Sequence, residues 1–130
     1  MSIRLDKEVC MMERIFDSEL KVLEVLWEFG ESTASEIARV LNQKCDWSRT
    51  TTYTVIKKCI QKGLVARENE KFICRALITQ EQIRKQEATL LINRVFDGSP
   101  HLLIANLIDS GQVTQEQLDE LRQFILEVEK

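Results

Sequence analysis

The residues best suited to chemistry lie in one basic run. Arg49, Thr50, Tyr53, Thr54 and Lys57 recur at helical spacing directly after Ser48, a residue type that caps helix starts. The opposite side of the same segment carries Val55, Ile56 and Cys59. A helix with one apolar face and one face of Arg, Thr, Tyr and Lys fits the major groove of duplex DNA, with its first turns toward the base edges. Arg49 suits guanine O6/N7 or a phosphate, and Thr50 and Thr54 suit bases, thymine methyls or phosphates. Free N–H groups at the helix start also favour a phosphate. Lys57, Lys58 and Lys62 would position rather than specify. Arg67, Lys71 and Arg75 extend the charge into the next segment. A polar surface helix in a protein-binding domain is the alternative reading of the same residues.

Charge distribution supports the first reading. The chain has 130 residues and a net charge of −3. Residues 1–43 carry −4, residues 44–75 carry +5 and residues 76–130 carry −4. DNA affinity follows local phosphate neutralisation, so the central stretch matters more than the total.

Catalysis finds little support. No P-loop, GxGxxG, HExxH or GxSxG pattern occurs, and His101 is the single histidine. An enzyme is not expected, nor a cofactor. Cys10, Cys45, Cys59 and Cys74 are far apart, with no CxC or CxxC pair, so no metal site is expected. Cys59 and Cys74 fall in apolar patterns and read as buried thiols. A thiol- or metal-responsive regulator stays open as an alternative through Cys10 or Cys45. Trp27 and Trp47 read as core anchors.

Composition bounds the architecture. Hydrophobic residues make up 44% and charged residues 30%, with Gly 4 and Pro 1, which points to a mainly α globular chain. No apolar run exceeds four residues, far short of a membrane span. The N-terminus shows no long apolar stretch of a secretory signal, so a cytoplasmic location is expected.

The elements that must position the basic face follow from caps and periodicity. Residues 1–12 match no template and read as an N-terminal arm. A helix over 18–29 is capped by Asp17, stapled by Phe16 and Leu20, and buries Leu20, Leu23, Leu26 and Trp27. Gly30 stops it. Thr33 and Glu36 form a capping box for a short helix burying Ile37, Ala38 and Leu41. After a connection over 42–47, the basic helix runs from Arg49 to about Lys62, ended by Gly63. Residues 64–67 and 72–77 read as a hairpin. Helix, short helix, basic helix and hairpin make a winged helix-turn-helix. Three capped helices follow: from Thr79 to about Phe96, from Ser99-Pro100 to about Asp109, and from Thr114 onward. Their apolar positions, among them Leu91, Val95, Leu118, Leu121 and Ile125, are too few to bury a core alone and suit pairing with a second copy. The division expected is an arm over 1–12, a winged helix domain over 13–78 and a helical dimerisation domain over 79–130.

These residues resemble the penicillinase-repressor family (the BlaI, MecI and CopY regulators). The resemblance rests on Leu26-Trp27-Glu28, Thr33-Ala34-Ser35-Glu36-Ile37, Asp46-Trp47-Ser48, Thr50-Thr51, Thr54 and Lys57-Lys58 through Lys62-Gly63. It continues through Phe96-Asp97-Gly98-Ser99 and Leu118-Asp119-Glu120-Leu121-Arg122, covering about residues 13–128. It implies a homodimeric repressor on a dyad operator, dimerised through its C-terminal helices. The β-lactam branch adds a membrane sensor-protease and cleavage at an Asn–Phe bond; the matching bond here is Asn106–Leu107. The copper branch uses C-terminal CxC pairs, and this chain has no cysteine after Cys74. Two departures stand out: Ser48-Arg49-Thr50 replaces the family's common Ser-Pro-Lys, and Tyr53 replaces a small or polar residue.

Overall fold

The computed structural model describes residues 14–68 and 70–129. The expected arm over 1–12, with Cys10, lies outside the described residues. In chain order the elements are α1 (Asp17–Phe29), β1 (Ser32–Thr33), α2 (Ala34–Cys45), α3 (Arg49–Gln61), β2 (Val65–Glu68), β3 (Ile73–Ala76), α4 (Gln80–Val95), α5 (Pro100–Asp109) and α6 (Gln115–Glu129). Two compact units divide between Glu87 and Ala88, within α4. None of the described helices is long and apolar enough to cross a membrane.

Caps set most boundaries of the first unit. At α2, Thr33 Oγ1 accepts from the Glu36 N–H at 3.1 Å, while Glu36 Oε1 accepts from the Thr33 N–H at 3.3 Å. At α3, Ser48 Oγ accepts from the Thr51 N–H at 3.1 Å. The start of α1 differs from expectation. Its cap is Phe16, and Asp17 is the first helical residue, where its charge meets the helix dipole. A phenyl ring accepts no hydrogen bond, so one half of the box remains: the Phe16 N–H donates to Glu19 Oε1 at 2.9 Å. The staple moves with the cap. Phe16 is 58% exposed, whereas Ile15 before it is buried and Leu20 packs against the core.

Gly63 ends α3 at φ +77°, a conformation glycine adopts without penalty. It reverses the chain so that the Leu64 N–H reaches the Cys59 carbonyl at 2.9 Å. The hairpin then pairs β2 with β3 antiparallel, Arg67 opposite Cys74. One strand escaped the sequence reading. Ser32 and Thr33 form β1, paired with Cys74 and Ile73, which gives the sheet order β1-β3-β2. Two residues are too short for any period-2 signal.

The core of this unit joins Val22, Leu23, Ile37, Leu41, Val55, Ile56, Cys59, Val65 and Cys74. Ile83 on α4 is also buried there, which places the start of that helix in the first unit. Trp27 and Trp47 are partly buried against the core, and the Trp27 indole N–H donates to the Ile78 carbonyl at 2.9 Å. Val22 and Val25 are buried on α1 in addition to the expected Leu23 and Leu26, because the stripe facing two helices and a sheet is wider than one heptad seam.

A fully buried carboxylate, Glu19, sits among these residues. Its Oε1 accepts from Lys62 Nζ at 2.8 Å. The same ammonium donates to the Arg14 carbonyl at 2.9 Å and lies 4.3 Å from the Phe16 ring centroid. Glu19 Oε2 has no hydrogen-bond partner among the described residues. Burying a charge is costly unless it is paired, so Lys62 compensates Glu19.

In the second unit, caps are again satisfied: Ser99 Oγ accepts from Leu102 N–H at 3.2 Å, and Thr114 Oγ1 from Gln117 N–H at 3.1 Å. Burial is not. α5 and α6 bury no residue, and Leu121, Phe124 and Ile125 on α6 are 47%, 61% and 56% exposed.

Two outcomes follow for stability. Lys62→Ala strands the Glu19 carboxylate and should cost about 3 kcal/mol in urea unfolding; Glu19→Leu combined with Lys62→Met should lose clearly less than the single variant. A Lys62→Ala loss below about 1 kcal/mol would show that the pair does not hold the unit together. Burial, and secondarily Glu19, pushes the Cys59 thiol up to about 12 from 9.0. Unfolding restores the lower value. The Cys59 contribution to stability is therefore complete below pH 9.0 and drains away as pH rises toward 12. Comparing urea midpoints of wild type and Cys59→Ala from pH 8 to 11 should reveal a steeper alkaline decline in wild type, and parallel curves would contradict the assignment.

Candidate nucleic-acid interface

The interface is built on the turn between α2 and α3. Asp46, at φ +59°, ends α2, and Asn42 Nδ2 donates to the Trp47 carbonyl at 2.9 Å. Half-buried Trp47 anchors this connection, and Ser48 starts α3 directly after it. Thr52, Val55, Ile56 and Cys59 turn inward, so Arg49, Thr50, Tyr53, Thr54, Lys57 and Lys58 are left exposed. The face predicted from spacing is the face presented. Thr52 was not foreseen as a core residue; its buried Oγ1 has no partner among the described residues.

Side-chain contacts distinguish the members of this face. Thr54 Oγ1 donates to the Thr50 carbonyl at 2.9 Å, leaving its lone pairs and methyl outward. Arg49 Nη2 donates to Tyr53 Oη at 3.0 Å and to Ser35 Oγ of α2 at 3.3 Å. Its guanidinium carbon lies 5.3 Å from the Tyr53 ring centroid. No acidic residue occupies the first turn of α3, so nothing neutralises the positive end of its dipole there.

Lys62 departs from expectation. As a phosphate-positioning charge it would have to be free, yet its ammonium is held by Glu19, the Arg14 carbonyl and the Phe16 ring. It is a structural residue. Its position at the end of α3 gave the sequence reading no way to separate it from Lys57 and Lys58, because the partner comes from α1.

The hairpin carries the remaining charge. Arg67 on β2 stacks over the Phe72 ring at 4.4 Å, and Lys71 lies exposed in the turn. Arg75 is exposed on β3, paired with Ala66. Phe72 holds φ +52°, a strained value for an aromatic residue, and its carbonyl accepts from the Ala34 N–H at 3.1 Å. That bond ties the hairpin turn to the start of α2.

Sequence reasoning missed Ser35, Arg39 and Asn42. They line a groove of about 400 Å³ with Arg49, Glu36 and Ala38. Their spacing on α2, four then three residues, marks one exposed face and was the signal available. Cys59 and Cys74 are buried, and burial raises both thiols, which suits packing rather than thiolate chemistry. Asn106 is exposed and Leu107 half-buried, both inside α5. Leu91, Val95, Leu121 and Ile125 are exposed, and Leu118 is half-buried.

The chain is similar in sequence to known proteins. The sequence profile of a family described as penicillinase repressor matches residues 15–127. The chain is 25% identical over 116 residues to a penicillinase repressor of Bacillus licheniformis, covering 88% of this chain and 91% of that one. It is 26% identical over 113 residues to the methicillin resistance regulatory protein MecI of Staphylococcus aureus, covering 85% and 92%. The solution structure of the monomeric form of Bacillus licheniformis BlaI in complex with the blaP half-operator is also similar, with a TM-score of 0.47 and 26% identity over 54% of this chain and 88% of that one. The chain belongs to the penicillinase repressor family, a family of DNA-binding transcriptional repressors rather than enzymes.

Proposed function

We propose that this cytoplasmic repressor binds a two-fold symmetric DNA operator as a homodimer, with α3 of each subunit in the major groove of one half-site. The observation that carries the reading is the exposed face of α3, where Arg49, Thr50, Tyr53, Thr54, Lys57 and Lys58 stand opposite a fully packed apolar face. Thr50 and Thr54 are the base-directed residues; Lys57 and Lys58 contact phosphate; Arg67 and Lys71 bring the hairpin alongside the groove. The reading needs no cofactor.

The second unit supplies the dimer. Leu91, Val95, Leu121 and Ile125, with Phe124 beside them and half-buried Leu118, form apolar faces left largely open to solvent. Two copies would remove roughly 1,500–2,500 Å² from water, in the range of stable dimers. Two-fold protein symmetry then imposes the dyad on the operator. Leu121→Asp should give a monomer by light scattering at micromolar concentration and lose about 10²–10⁴ in operator affinity, while each half-site is still bound weakly. Wild type that scatters as a monomer would remove the dimer from the proposal.

Derepression follows from cutting the second unit at Asn106–Leu107, through a membrane sensor-protease. Asn106 is exposed one turn before the end of α5, a helix that buries no residue. The last turns of α5 must unwind to free the strand, including the terminal bond from Ser110 N–H to the Asn106 carbonyl and the Ser110 Oγ bond to the Leu107 carbonyl. The cut detaches α6 and its share of the dimer face, leaving the winged helix intact. Mass spectrometry of the protein from derepressed cells should show fragments ending at Asn106; an intact chain under full derepression would replace proteolysis with direct ligand release.

A further inference from the structure

The guanidinium of Arg49 is held in a bracket, and the bracket constrains what it can read. Nη2 is the nitrogen shared by both bidentate edges of the guanidinium fork, Nε with Nη2 and Nη1 with Nη2. Its two N–H groups face two protein acceptors, Tyr53 Oη at 3.0 Å and Ser35 Oγ at 3.3 Å. A bidentate pairing with guanine O6 and N7 needs one of those edges intact. The bracketed Arg49 keeps Nη1 and Nε for outward contact, which suits single bonds to a phosphate oxygen. The surroundings match that ligand. Arg49 opens onto the groove it shares with Ser35, Arg39 and Asn42, which brings a second guanidinium to the same recess, while the Asn42 amide N–H is turned to the Trp47 carbonyl. Glu36 also lines the groove, but its Oε1 is turned to the Thr33 N–H and hydroxyl.

Resting on the DNA-binding reading above, we infer that Arg49 is a backbone-phosphate anchor between α2 and α3 rather than a base reader, and that Ser35 and Tyr53 are the positioning residues that hold it there. Sequence discrimination then falls to Thr50 and Thr54. Tyr53 acquires a reason for its size: a smaller residue at that position supplies neither the Oη acceptor nor the ring beneath the guanidinium.

The test selects duplexes from a randomised pool with the full-length protein, then measures affinity for the selected duplex and for random duplex across salt concentrations. Arg49→Ala should enrich the same consensus as wild type. It should weaken both duplexes alike, roughly tenfold, one charged hydrogen-bonded contact. Its salt slope should be shallower by about 1, as for Lys58→Ala. Arg49→Lys should restore most of the slope, since a phosphate accepts a point charge. Tyr53→Phe should weaken both duplexes about two- to threefold and change nothing further in the Arg49→Ala background. A consensus that loses a G·C position in Arg49→Ala, with selectivity falling tenfold or more, would overturn the inference and make Arg49 a base reader. Additive losses for Tyr53 and Arg49 would overturn the bracket. Wild type that enriches no sequence and binds no duplex would instead bring down the DNA-binding reading itself.

Discussion

The buried pair of Glu19 and Lys62 is the constraint on which the first unit turns. A carboxylate with no exposed surface cannot remain charged without a partner, and the partner comes from the far end of α3. The ion pair therefore links the first turn of α1 to the end of α3. Glu19 spends its other interaction on the Phe16 N–H, capping its own helix, and Lys62 also holds the Arg14 carbonyl. One charge pair thus ties the start of α1 to the end of α3. With its C-terminal end fixed and Val55, Ile56 and Cys59 packed inward, α3 has one face left for a ligand. The specificity of that orientation, rather than net stability, is what such a pair contributes best.

From this anchor the interface assembles in a fixed order. The tight connection between α2 and α3 brings Ser35 within reach of Arg49. The sheet brings the hairpin back to the start of α2 through the Phe72 carbonyl and the pairing of β1 with β3. Every positively charged residue exposed on α3 and the hairpin is then carried by an element whose own placement is decided by the core.

What could be read from residues alone follows the range of the interactions involved. Local rules worked: Thr33, Ser48, Ser99 and Thr114 accept the cap hydrogen bonds that their types and spacing implied. The apolar face of α3 and the burial of Cys59 and Cys74 were legible for the same reason, since periodicity encodes which side turns inward. The failures needed a second element. Glu19 carried no signal in the sequence and Lys62 read as a phosphate contact, and only their meeting across 43 residues of sequence gives either its role. Asp17 was a better cap by type than Phe16, yet Glu19 supplies the bond from three residues on. β1 exists because β3 has a free edge, not because Ser32 and Thr33 favour a strand. The groove beside Arg49 belongs to this class too, being made by two helices neither of which contains it.

The second unit shows the converse case. Its helices are strongly specified by local signals, with caps and with glycine turns after α4 and α5, and yet α5 and α6 fully bury no side chain. Helices of 10 to 16 residues are marginal in isolation, whatever their caps. Exposed Leu121, Phe124 and Ile125 gain their transfer free energy only when another surface arrives. In the dimer proposed above, folding of this unit would be coupled to association in a way that folding of the first unit, with its own core, is not. That coupling would make operator occupancy depend on protein concentration more steeply than a preformed domain would, because the dimer and the two-site advantage would appear together. A helix without buried residues opens at little cost, which is what the cleavage proposed at Asn106–Leu107 requires.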